Sequence, residues 1–145
     1  MGASRKLVDS QKLWHRCSSI FVVDENGDFY IQLRTKDKLF YPGYYDLMSG
    51  GCMSVDDPCD LTNATRELGE EMGIHGHKLT HVGNLKYENG HKVWFSIYLV
   101  RIQSDFKLKL QEREVEKVEK WSEAQILEKI NEEGVKITPE SVLCF

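Results

Sequence analysis

No apolar run in this sequence approaches the length of a membrane span. The chain also lacks the charged start, apolar core and small-residue cleavage site of a secretory leader. Its opening Met-Gly-Ala-Ser-Arg-Lys sets Lys6 where an N-myristoylation signal requires Ser or Thr. No basic excess is present: 19 Lys and Arg stand against 23 Asp and Glu, a formal net charge of −4. Nucleic acid is therefore not expected as the main partner, although a local basic pocket for phosphate is compatible with that balance. The four cysteines, Cys17, Cys52, Cys59 and Cys144, show no Cys-x-x-Cys spacing and no neighbouring His pair. That pattern argues against zinc and for small buried or half-buried thiols in a reducing compartment. His15, His75, His77, His81 and His91 show no ligand pairing and are read as structural or exposed. No repeat, low-complexity segment or linker interrupts the chain. What remains is an expected cytoplasmic protein without a membrane partner, its 145 residues forming one domain over 1–145.

Strand and helix signals alternate along the chain. Residues 1–13 are polar and fit either a short helix or a strand. Trp14–Asp24 and Phe29–Arg34 read as strands joined by Glu25-Asn26-Gly27-Asp28, an Asn-Gly hairpin turn. Thr35 to Met48 is a loop rich in Lys and Tyr with a tight turn at Pro42-Gly43, and Tyr44 to Met48 fits a short strand. Val82 to Tyr87 and Lys92 to Ile102 read as a second antiparallel pair around Asn89-Gly90. Both faces of Val93 to Val100 are apolar, which predicts a strand covered on both sides. Val115 to Trp121 is a further strand. Ser122-Glu123-Ala124-Gln125 is a capping box that opens a helix with Ile126, Leu127 and Ile130 inward and Gly134 as its stop. Thr138-Pro139-Glu140 looks like another helix start. The fold class that follows is α/β (α+β), in layers.

The most informative stretch is Gly50 to Ile74. Asp57 fits as an N-cap, with Pro58 at the first helical position and Asp60 reaching back toward the cap. Gly73 supplies the left-handed residue that ends the helix. Leu61, Ala64, Leu68 and Met72 form one apolar stripe, and Glu67, Glu70 and Glu71, spaced i, i+3, i+4, share a neighbouring arc. Three carboxylates side by side repel one another unless a cation sits among them, and hard divalent ions, Mg²⁺ above all, prefer carboxylate oxygen.

Arg66-Glu67-Leu68-Gly69-Glu70-Glu71-Met72-Gly73-Ile74 resembles the Nudix box, Gly-x5-Glu-x7-Arg-Glu-U-x-Glu-Glu-x-Gly-U with U a bulky apolar residue. It matches the last nine positions without a gap. The first half departs: Gly51 lies one residue too far from Arg66, a one-residue insertion. The box's first glutamate falls on Asp57 counted forward from Gly51 and on Pro58 counted back from Arg66. In the family that glutamate is mainly a structural partner of the arginine, so its replacement bears on box geometry more than on metal binding.

The resemblance implies the Nudix fold, a mixed β-sheet sandwiched between helices. It also implies a Mg²⁺-dependent hydrolase, with Mn²⁺ as a possible substitute, that cleaves the diphosphate (pyrophosphate) linkage of a nucleoside diphosphate derivative or related small molecule. Glu67, Glu70 and Glu71 would be the metal ligands, Arg66 would orient them, and Gly51 would let the backbone turn closely into the helix. Many members add a carboxylate from a loop beyond the box; here Glu114 is the first choice and Glu112 the second. Arg34, beginning the loop that carries Lys36 and Lys38, is a candidate for forking onto phosphate oxygens. Tyr41, Tyr44, Tyr45, Tyr87 and Trp94 are candidates for stacking on a substrate, or core and rim aromatics.

Two other functions compete. The Leu13 to Gly51 segment, with Trp-His-Arg-Cys-Ser-Ser-Ile-Phe-Val and Phe-Tyr-Pro-Gly-Tyr, is similar to the isopentenyl-diphosphate isomerase branch of the superfamily. That branch needs a cysteine where Ser49 stands, and it has lost the hydrolase box. A non-catalytic binding module is supported only by the insertion and the replaced box glutamate.

Overall fold

The computed structural model describes residues 2–145. Among these, seven strands and four helices follow in the order α1 (Arg5–Gln11), β1 (Trp14–Asp24), β2 (Phe29–Arg34), β3 (Tyr45–Asp46), β4 (Ser49–Cys52), α2 (Asp60–Met72), β5 (Leu79–Glu88), β6 (Lys92–Ile102), β7 (Val115–Trp121), α3 (Glu123–Ile130) and α4 (Pro139–Cys144). The open N-terminal alternative resolves as a helix, capped by the Ser4 hydroxyl on the Leu7 N–H. β5 begins three residues earlier than the apolar pattern suggests, with a register shift between His81 and Gly83.

The sheet is mixed. Its path runs β3-β2-β1-β6-β5, with β4 also on β1 and β7 also on β2. β1 and β6 are the long parallel pair, in register from Trp14–Lys92 to Asp24–Ile102. The other strand pairings are antiparallel, and both Asn-Gly segments lie in hairpin connections, with Gly27 and Gly90 but neither asparagine at positive φ.

Each face of the sheet carries its own core. On one, Ala64, Leu68 and Met72 of α2 pack on Ile20, Val22, Tyr98 and Val100. On the other, Ile126 of α3 joins Phe21, Ile31, Phe95, Ile97 and Trp121, with Cys144 of α4 at the margin. The sheet therefore lies between helices. β6 contributes to both clusters, as its two apolar faces require; Trp94 departs, standing 46% exposed beside Trp14.

Four local expectations need correction; one is Leu127 of α3, expected inward but 51% exposed. α2 starts at Asp60 with Cys59 as its N-cap, and no side chain caps it. Asp57 cannot serve there, because its carboxylate already accepts from the Ser54 N–H and from Arg66. Asp60 does not reach back either; its carboxylate takes Arg16 and the Ser96 hydroxyl. Leu61 is 46% exposed rather than part of the buried stripe, since burial along α2 begins at Asn63. Finally, α3 ends at Ile130 with Asn131 as its C-cap, four residues before Gly134.

Among the described residues, no helix is long and apolar enough to cross a membrane.

Candidate active site

A cavity of about 370 Å³ opens between the acidic face of α2 and the wall made by β1 and β4. The loop after β2 and the segment before β7 close its sides with Arg34, Lys38, Tyr41, Gln111 and Glu114, while Arg5 and Asp9 of α1 reach its rim. Glu67, Glu70 and Glu71 all line it, so the helical spacing delivers the three carboxylates to one wall.

The three are held in different ways. Glu71 is buried at 8% exposure, and its Oε2 accepts from the Ser49 hydroxyl at 2.6 Å, the Gly50 N–H at 3.1 Å and the Gln32 side-chain amide at 3.2 Å. Those donors come from β4 and β2, so the sheet fixes this carboxylate. Glu67 rests against Gly51: a Cβ added there would fall 2.5 Å from its Oε2, so a larger residue would push this carboxylate aside. Burial first, then the charge of Glu71, push the Glu67 carboxyl up to about 7. Glu70 is half exposed at 50% and meets Arg66 Nη1 at 3.3 Å.

Arg66 clips these groups together. Its Nη1 donates to Glu67 at 2.8 Å, and its Nη2 donates to Asn63 Oδ1 at 2.8 Å and Asp57 Oδ2 at 3.0 Å. Asn63 passes the contact to the sheet by donating to the Ser18 hydroxyl at 2.9 Å and the Gly51 carbonyl at 3.0 Å. The arginine holds the Asp57 carboxyl below its ordinary range, and Asp57 in turn holds the guanidinium above its own. The C-terminal end of α2 is tied as well: the Gln111 and Lys109 N–H groups donate to the Glu71 and Met72 carbonyls.

Across the cavity, Glu114 pairs with Lys38. Burial, then nearby Arg34, lowers the Lys38 ammonium. Glu114 lines the cavity, whereas Glu112 is exposed away from it. Arg34 also lines the cavity but is largely engaged, donating through Nε and Nη2 to the Phe40 carbonyl and pairing through Nη1 with Asp46 at 3.4 Å. Of the candidate stacking aromatics only Tyr41 reaches the cavity, beside Phe40; Tyr45 packs on Trp121 and Trp94 on Trp14.

Sequence reasoning missed a second cluster on the opposite wall. His15, Cys17 and Cys52 bring a ring nitrogen and two sulfurs within 4.8 Å of one another, a donor set suited to soft metals. His15, expected to show no ligand pairing, therefore lies beside two sulfurs. The pairing of β4 against β1 places Cys17 opposite Cys52, and nothing local in the sequence announces that register.

Residues 13–140 match the NUDIX domain family model. This chain belongs to the Nudix family. The Nudix hydrolase YfcD of Salmonella typhi is 36% identical over 117 residues, covering 80% of this chain and 62% of that protein. The chain thus spans less than two thirds of that relative's length. Among solved structures, DR0079 of Deinococcus radiodurans superposes with a TM-score of 0.76 at 17% identity, over 89% of this chain and 80% of that one. The NUDIX domain of Shewanella oneidensis NrtR, solved with ADP ribose, gives 0.68 at 12% identity, over 91% and 82%. At such identities the likeness concerns the fold.

Seen as a Nudix box, the segment's first half changes meaning. The inserted residue lengthens the loop before α2, and Asp57, one methylene shorter than the expected glutamate, meets the box arginine from that loop.

Proposed function

We propose that this chain is a Mg²⁺-dependent Nudix hydrolase that cleaves the diphosphate linkage of a nucleoside diphosphate derivative or a related compound, with Mn²⁺ able to substitute. The observation that carries the reading is the arc of Glu67, Glu70 and Glu71 on one cavity wall, clipped by Arg66. The donor set fits a hard divalent ion: all three groups are carboxylates, and Glu67 in particular is disfavoured in its charged form without a nearby cation. Glu67, Glu70 and Glu71 would hold the metal, which when bound supplies Lewis-acid stabilisation of phosphate charge and a more acidic water.

The protein's own groups divide the remaining work. Glu71, fixed by three donors, sets the position of the helix face against β4. Arg66 holds Glu67 and Glu70 in one orientation and is a positioning residue. Lys38, paired with Glu114, and the rim residue Arg5, paired with Asp9, bring positive charge to the cavity that a phosphate would share, while Arg34 keeps the β2 loop in place through Phe40 and would share its Nη1 with a phosphate. Glu114, facing α2 across the cavity, is suited to accept a proton from the attacking water or to complete a metal's oxygen ligands. Phe40 and Tyr41 give an apolar or aromatic leaving group a surface to lie on. The ADP ribose bound by the NrtR domain is a compound of this class and supports including it among the substrates tested.

The isomerase reading is weaker, because the position where that branch requires a cysteine holds Ser49, whose hydroxyl is spent on Glu71. The binding-module reading loses half its support, since Asp57 takes up the arginine. The test is a panel of nucleotide sugars, ADP ribose, dinucleotides, oxidised nucleotides, coenzyme A and prenyl diphosphates with Mg²⁺, run on wild type and on a Glu70→Gln, Glu71→Gln variant. The expected result is product release from at least one compound and loss of it in the variant. Equal rates in both proteins, or proton exchange into isopentenyl diphosphate without hydrolysis, would sink the reading.

A further inference from the structure

Cys17 and Cys52 lie directly opposite each other on the antiparallel pair β1 and β4. The Met53 N–H donates to the Arg16 carbonyl at 2.8 Å, which makes that neighbouring pair the hydrogen-bonded one. In an antiparallel ladder the two kinds of pair alternate, so Cys17 and Cys52 occupy a non-hydrogen-bonded position, where backbones and side chains stand closest. Their sulfurs are 2.9 Å apart, with the Cys17 thiol donating to Cys52. Both cysteines are free, and both line the cavity.

Their surroundings differ. Cys17 is buried at 7% exposure, and Cys52 is half-buried. His15 Nδ1 lies 3.1 Å from the Leu13 carbonyl, and the histidine offers a ring nitrogen within 4.8 Å of both sulfurs. The hydrogen bond from Cys17, outweighing burial and aided by nearby His15, favours the Cys52 thiolate and draws that thiol below its ordinary range, while Cys17 is held protonated. A half-buried thiolate beside a histidine and a buried thiol in contact with it are the two parts of an attacking and resolving pair. As a metal site the same trio is less complete. It offers three donors where a structural zinc site uses four, and its sulfurs are too close for two ligands of one tetrahedral ion.

We propose that Cys17 and Cys52 form a reactive dithiol on the cavity wall that hydroperoxides convert to a cross-strand disulfide. The Cys52 thiolate attacks one peroxide oxygen, the O–O bond breaks, and the departing oxygen leaves as water or alcohol after taking up a proton. Cys52 is then a sulfenic acid. Cys17 attacks the Cys52 sulfur, the S–O bond breaks, and hydroxide leaves with the Cys17 proton as water. Two thiols are oxidised and one peroxide is reduced. Closing the bond asks the sulfurs to approach by about 0.9 Å from their 2.9 Å separation. The disulfide would join β4, which carries two of the donors to Glu71 and the glycine beneath Glu67, covalently to β1. This site stands or falls independently of whether α2 turns over a diphosphate.

The test treats reduced, desalted protein with hydrogen peroxide, with intact mass and peptide mapping as readouts. Wild type is expected to lose the mass of two hydrogens, to fall from four free thiols to two, and to yield a Cys17–Cys52 linked peptide. Cys52→Ser should lose this response. Cys17→Ser should stop at a sulfenic acid on Cys52 that a dimedone probe captures. The wild-type peptide map decides the matter even where a variant folds poorly. Persistence of all four thiols, or linkage through Cys59 or Cys144, overturns the proposal. So does a purified protein that retains zinc shielding both thiols from peroxide.

Discussion

The two halves of the segment from Gly51 to Ile74 reach the same site by different routes. In the second half, helical periodicity alone puts Glu67, Glu70 and Glu71 on one face and Ala64, Leu68 and Met72 on the adjacent one. Position there is dictated by the geometry of α2. In the first half, past the end of β4 at Cys52, no regular element sets position. A longer loop carrying a shorter acid still brings a carboxylate to Arg66, and the Ser54 turn holds that carboxylate in place. A regular helix tolerates no insertion without turning its face away. A loop absorbs one, provided its key group lands where its partner needs it.

Substitutions can break this contrast, the largest effect first. Leu68, fully buried beneath the acidic face, belongs to the regular half; Leu68→Ala should cost about 2 to 5 kcal/mol in urea unfolding. Asp57→Ala removes the loop's contribution and leaves Arg66 short of one carboxylate. With charge-assisted bonds of this kind, the loss should be about 1.5 to 3 kcal/mol in the same measurement. An Asp57 loss below the cost of an ordinary surface substitution would mean that the loop half does not hold the arginine.

The same clip has a pH signature. Arg66 depresses the Asp57 carboxyl, so its stabilisation is present above the ordinary carboxylate range and is lost as pH falls through that range and below it. Thermal melts of wild type and Asp57→Asn should therefore differ most near neutrality and converge in acid. The smallest effect belongs to Leu61. Its position on the apolar stripe predicts a core residue, but its 46% exposure predicts a change within about 0.5 kcal/mol for Leu61→Ala.

Much of the fold was legible because its signals are local. The bounds of β1, β2, β6 and β7 follow from apolar, β-branched and aromatic runs bounded by turn or polar segments, and the capping box at Ser122 forms as written. The helix start was misplaced because Asp57 suits two roles equally well in sequence. Only the three-dimensional position of Arg66 decides between them. The acidic arc was readable for the same reason as the strands. The cradle of Ser49 and Gln32 around Glu71 and the meeting of His15, Cys17 and Cys52 were not. Both depend on which strands pair and in what register, a property of the whole sheet.

The central claim is that α2 presents a divalent-metal site whose ligands sit on the helix and whose support comes from the sheet around Glu71 and from the loop around Arg66. Calorimetric titration with Mn²⁺ of wild type, Asp57→Ala and the Glu70→Gln, Glu71→Gln variant, each checked for folding by circular dichroism, tests it most directly. Wild type should bind, Asp57→Ala should bind roughly 10- to 100-fold more weakly, as expected when a supporting partner of the ligands is removed, and the double glutamine variant should not bind. Absence of binding by wild type, or equal affinity in the double glutamine variant, would contradict it.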